Sequence, residues 1–141
     1  HETAMALYVS GSTLYVGGGF TNIAGNSRVG GAAFDISTGT INSWWPATSG
    51  GFATIYSISV SGSTVYIAGS FSNAGGSTRN NIAAVSDTTG TATSWNPNSN
   101  QLSNAVIATP SAVYAAGTFT SLGSNARNYL AVIDPTTGVA Y

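Results

Sequence analysis

Apolar and polar side chains alternate along this chain in short runs that never take up a helical period. Thr64-Val65-Tyr66-Ile67-Ala68 is apolar at both alternating sets of positions, the pattern of a strand covered on both faces. Before it, residues 55–60 (IYSISV) form a β-prone run that ends in the turn Ser61-Gly62-Ser63. After it, a loop through Asn73-Ala74-Gly75-Gly76-Ser77 leads to residues 82–85 (IAAV). Asp87-Thr88-Thr89-Gly90 is a hairpin signal, because the Asp side chain can close an Asx turn and Gly accepts a positive φ. A fourth run, residues 91–95 (TATSW), stops at Asn96-Pro97. Four short antiparallel strands at regular spacing predict an all-β unit.

The unit occurs three times. Arg28, Arg79 and Arg127 stand 51 and 48 residues apart. The same two intervals separate Tyr15, Tyr66 and Tyr114, then Phe20, Phe71 and Phe119, then Gly39, Gly90 and Gly138. Strands are predicted at 6–9, 13–17, 31–35 and 40–45 in the first copy. In the third they fall at 105–108, 112–116 and 129–134, and a fourth run begins at 138 and stops at 141. The pattern gives one repeat domain over 6–141, with repeats at about 6–50, 51–101 and 102–141. The third copy has no counterpart of Trp44 and Trp95 or of Pro46 and Pro97, so the chain is expected to be cut from a longer array. Four strands per period of about fifty residues predict β-propeller blades. A β-trefoil, which also has three four-stranded repeats, is the alternative, and 141 residues suit it.

The repeat resembles a bacterial β-propeller repeat, the delta-60 repeat, a family of unknown function. The resemblance rests on Val65-Tyr66-Ile67-Ala68-Gly69-Ser70-Phe71, Gly75-Gly76, Arg79, Ile82-Ala83-Ala84, Thr89-Gly90 and Trp95-Asn96-Pro97. It recurs as Leu14-Tyr15-Val16-Gly17-Gly18-Gly19-Phe20 with Arg28, and as Val113-Tyr114-Ala115-Ala116-Gly117-Thr118-Phe119 with Arg127. Asn26 stands where the first copy would have the second loop glycine. The resemblance implies a large secreted or surface protein without assigned activity.

Composition narrows the function classes. Only 5% of residues are charged, far below the roughly 25% of an ordinary domain. Solubility therefore rests on Ser, Thr, Asn and backbone amides, which fits an extracellular or cell-surface location. Three positive charges against four negative ones leave no basic face for nucleic acid or for an anionic membrane surface. There is no cysteine, hence no disulfide framework or thiolate metal site, and no run long enough for a membrane-spanning helix. His1-Glu2-Thr3-Ala4-Met5 reads as a tag remnant over 1–5 and is set aside, together with its histidine, the only one in the chain.

Candidate chemistry is correspondingly thin. Arg28, Arg79 and Arg127 could bind anions as a ring of guanidinium groups. Recurrence in every repeat instead marks them as structural, their forks bonding turn carbonyls or stacking on Trp44 or Trp95. Asp35, Asp87 and Asp134 lie at the third hairpin of each copy, where capping is the expected role rather than calcium binding. With no paired carboxylates, no cysteine and no usable histidine, no catalytic residue, cofactor or metal is expected. Gly17-Gly18-Gly19 is no phosphate loop, since neither helix nor Lys follows it. Trp45 breaks the repeat and, with Asn22 and Asn73, is the candidate ligand or partner contact; Tyr8 is off-pattern too. The expectation is a non-catalytic structural or protein-interaction module that self-assembles into a closed ring, most simply as a homodimer. A carbohydrate-binding module is the alternative, and glycans or surface proteins are the other partners considered.

Overall fold

The computed structural model describes residues 2–141, and His1 lies outside the described residues. The first repeat supplies β1 (Thr3–Ser10), β2 (Thr13–Gly19), β3 (Asn22–Ile23), β4 (Asn26–Ser27) and β5 (Gly31–Asp35). The second supplies β6 (Thr54–Ser61), β7 (Thr64–Ser70), β8 (Asn73–Ala74), β9 (Ser77–Thr78) and β10 (Ile82–Ser86). The third supplies β11 (Ser103–Ala108), β12 (Val113–Gly117), β13 (Ser121–Leu122), β14 (Asn125–Ala126) and β15 (Leu130–Ile133). The chain is all-β, and each repeat is one antiparallel meander, ordered β1-β2-β5, β6-β7-β10 and β11-β12-β15. The loop read between the second and third strands carries a two-stranded ribbon in each copy: β3-β4, β8-β9 and β13-β14.

Two expectations are corrected here. The predicted fourth strand shrinks to one bridged residue per repeat: Phe34 to Ile41, Val85 to Ala92 and Ile133 to Ala140. The backbone leaves the sheet because a side chain captures the next amide. Trp44 N donates to Asn42 Oδ1 at 2.9 Å, and Trp95 N donates to Thr93 Oγ1 at 3.3 Å. Pro46 and Pro97 follow and have no N–H to offer a ladder. A trefoil would pair strands of all three repeats in one barrel. Among the described residues no strand of one three-stranded sheet pairs with a strand of another, so that alternative does not describe the chain.

The first strand also begins earlier than expected, inside the segment set aside as a tag. β1 pairs with β2 from Thr3 opposite Gly19, as β6 pairs with β7 from Thr54 opposite Ser70. A bulge follows at the same point of all three repeats: between Ala4 and Ala6, between Ile55 and Ser57, and between Ser103 and Ala105. Glu2 completes the correspondence. Its carboxylate accepts from Thr21 N at 2.7 Å and Thr21 Oγ1 at 2.8 Å, which hold its pKa below the usual carboxylate value. The equivalent amides, Ser72 N and Thr120 N, are capped at 2.9 Å by the Ser49 carbonyl and by Asn100 Oδ1. Residues 2–5 thus do for the first repeat what the linkers do for the next two.

The sheets stack face to face, and strand alternation decides which residue meets which neighbour. On one face of the second sheet, Ile58, Val65, Ile67, Ala83 and Val85 pack against Ala6, Tyr15, Ala33 and Trp44 of the first repeat. On its other face, Tyr66, Ala68, Ile82, Ala84 and Trp95 pack against Val106, Val113, Ala115, Ala131 and Ile133 of the third. The first strands of neighbouring sheets adjoin, β1 with β6 and β6 with β11.

One glycine position is dictated by the bulge. A Cβ on Gly18, Gly69 or Gly117 would overlap the carbonyl oxygen of Thr3, Thr54 or Leu102 across the ladder. Backbone cannot yield there as a flexible side chain would. Gly69→Ala is therefore expected to destabilise the protein by about 3 kcal/mol, the upper end for overpacking. A drop in the urea midpoint at unchanged slope would show it, and an unchanged midpoint would contradict the close approach.

Candidate functional site

The three arginines are pegs inside their own repeats. Each sits after the short ribbon, and its fork joins the ribbon end to the segment following the third hairpin. Arg79 Nη1 donates to the Thr78 carbonyl and Nη2 to the Thr93 carbonyl, both at 2.7 Å. Arg28 repeats this with Ser27 at 3.0 Å and Asn42 at 3.3 Å. Arg127 bonds Ala126 at 2.7 Å and, through Nε, the Tyr141 carbonyl. The expected stacking on Trp44 or Trp95 is not the contact found. Arg28 lies over the Trp45 ring, 5.6 Å from its centroid.

Trp44 and Trp95 are buried and tie each repeat to the next. Trp44 Nε1 donates to the Ser86 carbonyl at 2.8 Å, and Trp95 Nε1 to the Asp134 carbonyl at 2.9 Å. Each indole is braced edge-on by the repeat's tyrosine: Tyr15 on Trp44 at 5.0 Å and Tyr66 on Trp95 at 5.1 Å between centroids. Removing such an indole costs about 3–5 kcal/mol, against about 1 kcal/mol for a typical net hydrogen bond. Between repeats, the buried rings outweigh the polar bonds.

At the third hairpin, Asp35 Oδ1 accepts from Ser37 N at 2.8 Å and Thr38 N at 3.3 Å. Asp134 Oδ1 accepts from Thr136 N at 2.7 Å and Thr137 N at 2.8 Å. Asp87, one position further on, does not take this part. Ser86 Oγ accepts from Thr88 N at 3.2 Å and Thr89 N at 3.5 Å in its place. The turns close on Gly39, Gly90 and Gly138, at φ of 72°, 85° and 76°.

The candidate contact residues are dispersed. Trp45 is 36% exposed, and its indole N–H donates to the Val29 carbonyl at 3.2 Å. Its backbone N–H reaches the Thr89 carbonyl of the next repeat at 3.3 Å. Asn22 is exposed on β3, with its amide on Thr21 Oγ1 at 3.2 Å. Asn73 is half-buried on β8, where its backbone bridges to Ser49. Tyr8 donates to the Val60 carbonyl at 3.4 Å and so belongs to the contact between repeats. A cavity of about 670 Å³ between the first two repeats is lined by none of Trp45, Asn22 and Asn73. Its walls include Phe52, Tyr56, Val29, Thr3, Thr21 and Thr54. Phe52, 82% exposed, comes from the first linker, and the signal for it lay in the unequal repeat intervals of 51 and 48.

No protein-family model matches the chain, and no curated protein matches it either.

Two predictions follow from this geometry. Arg79→Lys keeps the charge but loses the two-pronged reach, so a stability loss of about 2 kcal/mol is expected with the solution mass unchanged. Unaltered stability would contradict the structural role. Asp35 is held below its ordinary 3.8 chiefly by the Ser37 side chain, and Asp134 by the Thr137 and Thr136 amides. A carboxyl whose folded pKa is depressed stabilises fully above its unfolded value and loses that contribution as pH falls through the folded one. Urea midpoints should therefore decline below the carboxylate range, and less steeply in an Asp35→Asn/Asp134→Asn double variant. An equally steep decline in that variant would contradict the assignment.

Proposed function

We propose that this chain is a non-catalytic structural or protein-interaction module of β-propeller blades, part of a bacterial secreted or surface protein, which assembles into a closed ring. One observation carries the reading. The second sheet is covered on both faces by the same Tyr–Trp packing, while the corresponding outer face of the third sheet lies open and that of the first is open along its edge strand β1, with Val16 and Ala32 buried behind it. Leu7 and Val9 are 68% and 62% exposed on one, and Ile107 and Leu130 are 62% and 65% exposed on the other. Apolar faces of this kind call for a partner. The adjacency of β1, β6 and β11 fits blades arranged around an axis. The occupation of Asp35 and Asp134 in turn capping favours a scaffold over an acid–base site.

Light scattering on the eluting size-exclusion peak tests this. The expected species is a two-chain particle built from 14.1 kDa chains, stable to dilution over a wide range. A compact monomer would overturn ring assembly.

The cavity beside Phe52 favours a second reading, carbohydrate binding, because aromatic faces beside threonine hydroxyls suit a sugar ring. A glycan panel read by intrinsic fluorescence separates the two. The structural module gives no response, whereas a lectin using this cavity responds and loses that response in Phe52→Ala.

A further inference from the structure

We infer that two copies of this chain meet head to tail, the open face of the third sheet docking on the open face of the first in the register already used twice within the chain. This rests on the ring reading above and assigns its interface residue by residue.

The internal contacts provide the template. In each, a face centred on a tyrosine packs against five apolar positions of the following sheet. Those positions are Ile58, Val65, Ile67, Ala83 and Val85 in the second repeat, and Val106, Val113, Ala115, Ala131 and Ile133 in the third. Carried back by one period they become Leu7, Leu14, Val16, Ala32 and Phe34, and ladder pairing places all five on one face of the first sheet. The receiving set is apolar at every position: Val16 and Ala32 are already buried, Leu14 and Phe34 are half-buried, and Leu7 is left 68% exposed.

The tyrosine-bearing set carries forward equally well. Tyr66 becomes Tyr114, and Ile82 and Ala84 become Leu130 and Val132, placed on one face by the pairing of β12 with β15. The change at the first strand is informative. Ser57 and Ser59 bond the amides of Val106 and Ala108 at 3.1 and 3.0 Å across the internal contact. Their equivalents are Ala105 and Ile107. The open face is thus more apolar than the covered face it copies, as in interfaces that form between chains for permanent association.

The polar bonds carry over in part. Trp44 and Trp95 reach the carbonyls of Ser86 and Asp134, whereas the third repeat has no counterpart of these tryptophans, so the matching Asp35 carbonyl receives no indole and the contact rests on the tyrosine face. Tyr15 donates to the Asp87 carbonyl at 3.2 Å, which maps Tyr114 onto the Ile36 carbonyl of a second copy. The contact joins unlike faces, so it is heterologous and closes only as a ring. Propellers close with roughly four to eight blades. Two three-bladed chains fall in that range, whereas one chain or three do not.

Leu7→Asp damages only the receiving face and Ile107→Asp only the docking face. Both sites are exposed in the single chain, so its fold should survive, as circular dichroism would report. If either variant unfolds, Leu7→Ser and Ile107→Ser replace them. Each variant alone carries damage in both contacts of a two-chain ring, and its mass is expected to fall by half at concentrations where the parent is dimeric. An equimolar mixture contains one undamaged contact per pair, so the two-chain mass should return. No recovery on mixing, or a dimer indifferent to Ile107→Asp, would overturn the head-to-tail register while leaving self-assembly standing. A monomeric parent chain would instead remove the ring reading, and this inference with it.

Discussion

Everything in this fold depends on the tryptophan that closes one repeat being seated against the sheet of the next. Each three-stranded sheet is too small to bury its own side chains, and both of its faces are apolar. The indole settles the matter by leaving its own sheet, filling the gap, and fixing orientation with a single bond to a neighbouring carbonyl. The fading of the fourth strand is the local consequence. A strand that ran on in register would keep the ring beside its own sheet, so the bond from Asn42 or Thr93 that turns the backbone is part of the same device.

The rest of each repeat serves that contact. The arginine fork holds the segment leading into the tryptophan, joining it to the short ribbon. The hairpin cap shapes the turn whose carbonyl receives the indole of the preceding repeat. The bulge bends the first strand and demands glycine opposite. None of these groups is arranged around a reacting atom, and each is occupied by backbone groups of its own repeat, which explains why side chains conspicuous in the sequence gather into no site. What remains for function is surface: the open face of the third sheet, the exposed β1 edge of the first, and the cavity beside Phe52.

Much of the architecture was legible in the chain because period-two alternation and the fifty-residue recurrence are governed by the same constraint, burial on both faces. The strands and their order are fixed by Val65-Tyr66-Ile67-Ala68 and its copies, and the hairpins by the recurring glycines. Less legible was whatever depends on one side chain bonding backbone. Asn42 and Thr93 share no consensus, yet both end the fourth strand. Ser86 caps a turn where Asp87 looked the better candidate, because a single-residue shift moves the carboxylate out of reach. Glu2 was hidden for a different reason: its two counterparts are a backbone carbonyl and an asparagine, which no residue pattern connects. Trp45 stood out as an off-pattern aromatic, but the more exposed Phe52 sits in a three-residue lengthening of the first linker that only the unequal intervals betray.

The central claim is that sheets stabilise one another through their faces rather than standing alone. Amide hydrogen exchange across β2, β7 and β12, followed over a dilution series, tests it most directly. β7, covered on both sides within the chain, is expected to stay protected throughout. β2 and β12 should exchange faster at low concentration and gain protection together as chains pair. Equal protection of all three strands at every concentration would contradict it, because each repeat would then be holding itself together.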